Sequence, residues 1–136
     1  MDELRKKRYR DKINYIIDSL EVLPIEPKNE LEKRGIFYSL QTSIESVIDL
    51  IAMAIKDLGI PVGEDENNIS EIIKIREVES KLGEDLKRAN GMRNIIVHRY
   101  NKIEEEIILD SVKDVKTLLM KWLDIIEELL EEFDKS

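Results

Sequence analysis

Hydrophobic residues recur three and four positions apart along most of the 136-residue chain, which is the spacing of one face of an α-helix. The clearest stripe lies between Glu105 and Phe133, where the intervals alternate between four and three: Ile108, Val112, Val115, Leu119, Trp122, Ile126, Leu129 and Phe133. This heptad spacing predicts one long helix with a continuous apolar seam, and it makes Trp122 a core or interface residue. Leu118, Ile125 and Leu130 widen the seam, so we expect this helix to pack against two surfaces, either neighbouring helices or a twofold mate.

Local start and stop signals divide the rest of the chain into shorter helices. A first helix is predicted from Asp2 to Leu20, before "VLPIEP", whose prolines cannot continue a helix. A second helix begins at the capping box of Asn29 and Glu32 and ends at "GIP" (59–61), where glycine and proline are typical of a helix end.

The segment after residue 61 is more broken. "GEDEN" (63–67) is interpreted as a solvated loop, and a capping box at Asn68 and Glu71 predicts the start of a short helix. "ESKLGED" (79–85) is interpreted as a break before a helix that leads to residue 98, and "RYNKIEEE" (99–106) as a turn. No segment has strand periodicity, so the prediction is an all-α antiparallel bundle of four or five helices, in one domain spanning residues 1–136.

Composition excludes several kinds of site. The chain has no cysteine and one histidine, so it cannot form a disulfide, a thiolate zinc site or a histidine-rich metal cluster within one copy, and we expect neither a metal nor a cofactor. The N-terminus lacks the apolar core of a signal peptide, and the longest apolar run, "LIAMAI" (50–55), is too short to span a membrane. We therefore expect a cytoplasmic protein with no membrane partner.

The net charge of −8 argues against a broadly basic nucleic-acid surface, but the charge is unevenly distributed. Residues 1–12 contain six basic and three acidic residues, whereas residues 104–136 contain eleven acidic residues and four lysines. Two interpretations stay open for the basic run: a solvated helix face, or a basic lip beside an RNA site.

The only histidine lies in "NGMRNIIVHRYNK" (90–102), at the polar end of an apolar run. By spacing alone, this segment is compatible with an ordinary amphipathic helix. Chemically, His98 can exchange protons near neutral pH, Arg93 offers a donor fork suited to phosphate, and Asn94 shares a helix face with His98 and could orient its ring. Arg93 and His98 lie about 140° apart on an ideal helix, so they converge only through long side chains, a helix end near His98, or a second subunit.

"RNIIVHRY" (93–100) resembles the R-x4-H-x-Y motif of the HepT-like family of HEPN-domain ribonuclease toxins. The preceding "GM", the "RN" pair and the position of the motif before a long C-terminal helix also resemble that family, over nearly the full chain. The resemblance implies a HEPN-like bundle that acts as a homodimeric, metal-independent endoribonuclease, with its site in a cleft between the subunits.

Carried over by position, the resemblance implies a role for each motif residue. Arg93 would stabilise the scissile phosphate, His98 would be the general acid and base, and Asn94 would hold their geometry. Tyr100 matches the tyrosine to which a cognate MNT-type nucleotidyltransferase antitoxin transfers AMP, which would block an RNA cleft.

The RNA-binding surface is predicted to be local and basic. Its candidate residues are Arg88, Arg99 and Lys102, together with Arg93 and the N-terminal basic run. Because aromatic residues make up only 5% of the chain, we expect contacts to the RNA backbone and little sequence selectivity.

Three other readings of the same residues stay open. The bundle could be a non-catalytic companion of a minimal nucleotidyltransferase, in which His98 only contacts a nucleotide or the partner enzyme. A phosphotransfer bundle is disfavoured, because "HRYNKIE" lacks the glycine that such modules place after the histidine. A purely structural helical dimer predicts that replacing Arg93 or His98 changes nothing but stability.

Overall fold

The computed structural model describes residues 1–98 and 100–135, and this part of the chain contains five α-helices and no strand. The helices are α1 (Glu3–Glu21), α2 (Glu30–Asp57), α3 (Asp65–Ile75), α4 (Ser80–Val97) and α5 (Lys102–Lys135). The predicted all-α bundle is therefore confirmed, with five helices. None of these helices combines the length and the apolar composition needed to cross a membrane.

The second helix forms the centre of the bundle. It packs against each of the other four helices, and its buried side is the largest apolar surface of the fold. The buried apolar residues of α2 are Ile36, Phe37, Leu40, Ile44, Val47, Ile48, Leu50, Ile51, Met53, Ala54 and Ile55. The other helices are thus positioned by their contacts with one 28-residue rod.

The predicted seam of α5 is confirmed almost completely. Seven of its eight residues are buried, and the eighth, Phe133, is half-buried against the core, where its ring lies 6.4 Å from that of Tyr9. Trp122 is fully buried, and its indole Nε1 donates a hydrogen bond to the carbonyl oxygen of Leu82 at 3.1 Å. Trp122 is therefore a core residue that joins α5 to the start of α4.

Side-chain caps explain where three of the helices begin. Asp2 and Asn29 accept hydrogen bonds from the backbone N–H groups three residues later, and the cap at Asn29 is the one that the sequence predicted. The predicted turn at 99–106 was partly wrong, because α5 already begins at Lys102. Asn101 and Glu104 form a reciprocal capping box, in which each side chain accepts from the other residue's backbone N–H.

The start of α3 was predicted four residues too late, since the residue at the N-cap position is Glu64 and not Asn68. The helix begins at Asp65, so most of "GEDEN" is helical and not a solvated loop. The amide of Asn68 does not cap a helix; it accepts from the N–H of Gly63 at 2.9 Å and donates to the carbonyl of Gly63 at 3.1 Å. This pair of bonds closes the turn that leads into α3 and places Asp65 in the first turn of the helix.

The fourth helix is continuous through Gly83, so the break predicted at 79–85 is displaced. The interruption lies just before it, at residues 76–79, where Glu77 has a left-handed backbone with φ 51°. A Cβ atom at Gly83 would lie 2.9 Å from Cγ1 of Ile73. Glycine at this position therefore permits the close approach of α3 and α4.

The N-terminal basic run lies at the opposite end of the bundle from His98. Lys6 pairs with Asp134 at 2.8 Å, and Arg10 pairs with Glu127 at 2.7 Å, both near the end of α5. Since α5 begins just after the motif, and a helix rises 1.5 Å per residue, Asp134 lies roughly 50 Å from its start. The hypothesis of a basic lip beside the RNA site was therefore wrong for this run, and the charge of these side chains is largely neutralised within the bundle.

Candidate functional site

The fourth helix ends inside the motif. Val97 is its last residue, and His98 follows in an extended conformation (φ −84°, ψ −159°) with its backbone N–H bonded to the carbonyl of Asn94 at 3.0 Å. The imidazole is exposed. A helix end near His98 is one of the conditions under which Arg93 and His98 can face a common ligand. This condition is therefore met.

Arg93 points into the bundle, between α2 and the start of α3, and its side chain is 22% exposed. Its Nη2 donates a hydrogen bond to Oδ1 of Asn90 at 3.2 Å. Two carboxylates lie farther away: Glu45 is 3.8 Å from Nη1, and Asp65 is 3.9 Å from Nη2. The Nε atom is buried and has no hydrogen-bond partner among the described residues.

Asn94 and Asn90 differ in what they contact. Asn94 is exposed, and within the described residues no hydrogen bond joins its side chain to the His98 ring; the two residues are linked through the backbone. Asn90 is buried and contacts Arg93 directly, and its Nδ2 donates to Asp65 at 3.2 Å. Sequence reasoning missed Asn90, although a polar residue three positions before the arginine lies on the same helix face.

Tyr100 follows the motif turn and is half-buried against α2. Its ring meets the edge of Phe37 in a T-shaped contact with centroids 5.1 Å apart. One turn earlier on α2, Lys33 pairs with Glu105 of α5 and with Glu30, and the hydrogen bonds that Lys33 donates to these two carboxylates raise its pKa. These contacts hold the ring of Tyr100 between the starts of α2 and α5.

The three residues predicted to bind RNA lie in different settings. Arg88 is 79% exposed on α4 and lies 3.8 Å from Asp85, and Lys102 is exposed at the start of α5. Arg99 is outside the described residues. The structure thus places Lys102 next to the motif turn and Arg88 more than two helical turns before His98.

A groove of about 940 Å³ separates α4 from α5 and ends at the motif turn. Its walls include Met92 and Ile95 from α4 and Ile107 and Ile108 from α5. Ile95 is 37% exposed and Ile107 is 58% exposed, although both belong to apolar stretches. An apolar groove therefore runs alongside the motif.

A family model described as "Ribonuclease HepT-like" matches residues 7–132. The chain belongs to this family. Its similarity to a protein named "Putative RNase" from Archaeoglobus fulgidus is 42% identity over 131 residues, covering 96% of this chain and 99% of the relative. A second A. fulgidus protein of the same name is 32% identical over 133 residues, covering 97% of this chain and 98% of the relative. No solved structure matched the chain.

The HepT-like resemblance predicted from residues 93–100 is therefore confirmed at the level of the family, and an RNase is the activity that the family and the relatives' names support. Chemically, the described site offers an exposed imidazole and an arginine with most of its donors unused. Among the described residues, no group of three or more histidine and carboxylate side chains is arranged to hold a metal ion.

Proposed function

We propose that this HepT-like protein is a metal-independent endoribonuclease toxin that cleaves RNA with Arg93 and His98. The observation that carries the proposal is the placement of the motif at the end of α4, where His98 is exposed and the nearby Arg93 has only one of its five donors in a hydrogen bond to a described residue. An arginine with unused donors in the same segment as an exposed imidazole suits a phosphate and a proton transfer.

The proposed reaction begins at the RNA 2′-hydroxyl. An imidazole removes the proton from this hydroxyl as its oxygen attacks the adjacent phosphorus, and Arg93 stabilises the charge that develops on the phosphoryl oxygens. The bond to the 5′-oxygen then breaks, and this oxygen receives a proton from an acid. The products are a 2′,3′-cyclic phosphate and a 5′-hydroxyl, so the phosphodiester is cleaved without a net consumption of protons.

Base and acid are both needed, but each copy has one histidine. A twofold dimer supplies a second His98, and the groove beside the motif supports such pairing because it exposes Ile95 and Ile107. Apolar side chains of this kind are stabilised when a partner surface removes them from water. We therefore include a homodimer in the proposal, with the two motifs facing one cleft.

Regulation is proposed to act through Tyr100. A cognate MNT-type nucleotidyltransferase antitoxin would transfer AMP to its hydroxyl, two residues from His98. The half-buried ring is fixed on Phe37, so an added AMP would project a bulky anion near the turn that carries His98. RNA would then be excluded by both size and charge.

Cleavage of a labelled mixed-sequence RNA by the purified dimer, in EDTA, tests the proposal. Wild type is expected to yield 2′,3′-cyclic phosphate ends, and His98→Ala and Arg93→Ala to lose at least about 100-fold in rate. Arg76→Gln is the matched control, because Arg76 is 23% exposed and is also held by two carboxylates, Glu128 and Glu132, far from the motif.

The intact mass of each protein completes the experiment. An AMP increment on an inactive wild type requires the assay to be repeated after its removal. Unmodified, dimeric wild type that cleaves no RNA would contradict the toxin and leave the nucleotidyltransferase companion as the function. Cleavage that survives in both motif variants would place the chemistry elsewhere.

A further inference from the structure

Arg93 depends on a single hydrogen bond for its orientation. Of its five N–H donors, one on Nη2 is bonded to Asn90, and Nε is buried without a partner among the described residues. The nearby carboxylates of Glu45 and Asp65 lie at 3.8 and 3.9 Å, which is beyond hydrogen-bonding distance. These carboxylates act on Arg93 as charges, whereas Asn90 fixes the direction of the guanidinium.

Asp65 determines which way the amide of Asn90 faces. A carboxylate can only accept hydrogen bonds, so the NH2 group of Asn90 must point toward Asp65, as the 3.2 Å contact shows. The amide oxygen is then turned toward Arg93, which can only donate. The opposite amide orientation would place donor against donor at Arg93 and acceptor against acceptor at Asp65. The chemistry of both neighbours therefore selects the same orientation.

Asp65 is itself held in place by the local fold. It lies in the first turn of α3, directly after the turn that the Asn68 amide closes on Gly63. Asn68 is 4% exposed, so water has little access to these bonds. This turn places the backbone of Asp65, and its carboxylate, with 43% of the side chain exposed, accepts from Asn90.

We propose that Asp65 and Asn90 are positioning residues for Arg93, an inference that rests on the proposed ribonuclease function. Asp65 orients the Asn90 amide, and Asn90 in turn holds the guanidinium by one edge. The unused Nη donors are thereby directed to the phosphate as it reacts. Glu45 lowers the local positive charge at almost the same distance but has no part in this chain of hydrogen bonds.

The kinetic test compares Asp65→Ala, Asn90→Ala and their combination with Glu45→Gln. Asp65→Ala and Asn90→Ala are each expected to lower kcat about tenfold, because a small misplacement of Arg93 weakens only the transition state. The double variant should fall no further than the single variants, since both act through one chain of bonds. Glu45→Gln removes the same charge, so it should lower KM and leave kcat within about twofold.

A second measurement does not depend on activity. In protein labelled with 15N-arginine, hindered rotation about the Cζ–Nε bond should give separate Nη resonances for Arg93 in wild type and in Glu45→Gln. These resonances should merge in Asp65→Ala and Asn90→Ala, while those of Arg5 stay unchanged.

The outcomes separate the two proposals. Arg93 resonances that are unaltered in both positioning variants would overturn the positioning role, whether or not the protein cleaves RNA. A wild type that shows the expected NMR pattern but does not cleave RNA would contradict the proposed ribonuclease function and support the positioning of Arg93. Asp65→Ala and Asn90→Ala with wild-type kcat, beside an inactive His98→Ala, would leave the ribonuclease intact and refute positioning.

Discussion

Each end of the bundle brings an arginine and a tyrosine against the central helix α2, and the pair far from the motif shares a carboxylate at hydrogen-bonding distance. Arg5 donates from Nε to Asp57 at 3.0 Å and from Nη2 to the carbonyl of Met53 at 3.3 Å. The hydroxyl of the fully buried Tyr9 donates to the same carboxylate at 2.5 Å. One aspartate thus joins both residues of α1 to the end of α2, with short and direct hydrogen bonds.

The pair at the motif end is bonded much less completely. Arg93 is almost as enclosed as Arg5, with 22% against 19% of its side chain exposed, but no carboxylate lies within hydrogen-bonding distance of it. Tyr100 is held by its ring on Phe37, and the described residues give its hydroxyl no hydrogen-bond partner.

We therefore assign different roles to the two ends: the pair far from the motif stabilises the fold, and the pair at the motif is available to a ligand. A buried donor without a hydrogen-bond partner costs about 1–3 kcal/mol of stability. The Nε of Arg93 has no partner among the described residues, so its burial lowers the free energy of unfolding. Incomplete bonding of this kind is expected where a ligand completes the site. Arg5 and Tyr9 already share a carboxylate acceptor in Asp57, and their contribution is to hold α1 on α2.

The largest expected difference between the two ends is in the rate of RNA cleavage after each arginine is replaced by lysine. Arg93→Lys keeps the charge but loses the planar fork, so cleavage should fall about 100-fold or more. Arg5→Lys should leave the rate within about twofold, because Arg5 lies at the other end of α2. Single-turnover cleavage below the unfolding transition measures both, and equal losses would show that the two ends do not differ in function.

The next largest expected effect is on the free energy of unfolding. Removing the aspartate at the end away from the motif should lower it more than removing the one near the motif. Asp57→Ala leaves two donors without their acceptor and should lower the free energy of unfolding by about 2–3 kcal/mol. Asp65→Ala should cost about 1 kcal/mol, because it removes one hydrogen bond from Asn90 and its contact with Arg93 is long and screened. Urea unfolding followed by the fluorescence of Trp122, the single tryptophan, gives both values. A larger loss for Asp65→Ala would reverse our assignment of the two ends.

The pH dependence of stability at alkaline pH gives a further test of the comparison, because the pKa of Tyr9 differs between the folded and the unfolded chain. Burial, and then its hydrogen bond to Asp57, raise the pKa of Tyr9 above the ordinary value of about 10. Above that pH the unfolded chain releases the tyrosine proton and the folded chain retains it, so rising pH favours unfolding. The stability from this group is complete below about pH 10 and should fall above it by up to about 1.4 kcal/mol per unit.

Tyr9→Phe is the comparison that isolates this effect. Lysines also titrate in this range, so the measured quantity is the difference in the pH slope of the unfolding free energy between wild type and the variant. The variant should be less stable at neutral pH and less sensitive to pH above 10. Identical slopes would mean that Tyr9 ionises equally in both states.

The bundle was largely predictable from the sequence because its signals are local. The seam of α5 and the cap at Asn29 depend on residues a few positions apart, and the structure confirms them. The start of α3 was not predictable in the same way, because Asn68 could either cap a helix or close a turn. Its choice depends on where Gly63 lies once the helices have packed.

The candidate site was likewise predictable only where its residues lie close together in the sequence. Arg93 and His98 were found through a motif within one segment, whereas Asp65 is 25 residues from Asn90 along the chain. Nothing in "GEDEN" distinguishes a carboxylate that contacts the site from a solvated one. Only the packing of α3 against α4 brings them together, and Gly83 is part of the reason that this packing is close.

The smallest expected effect is that of Tyr100→Phe on stability, and it completes the comparison with Tyr9. Since the ring contact with Phe37 survives and no described partner of the hydroxyl is lost, the free energy of unfolding should change by less than about 0.5 kcal/mol. Tyr9→Phe loses a buried hydrogen bond and should cost about 1 kcal/mol at neutral pH. The same Tyr100→Phe variant should also gain no AMP mass when it is produced with a nucleotidyltransferase antitoxin. A stability loss equal to that of Tyr9→Phe would mean that the Tyr100 hydroxyl is structural, and its availability for modification would then lose its physical basis.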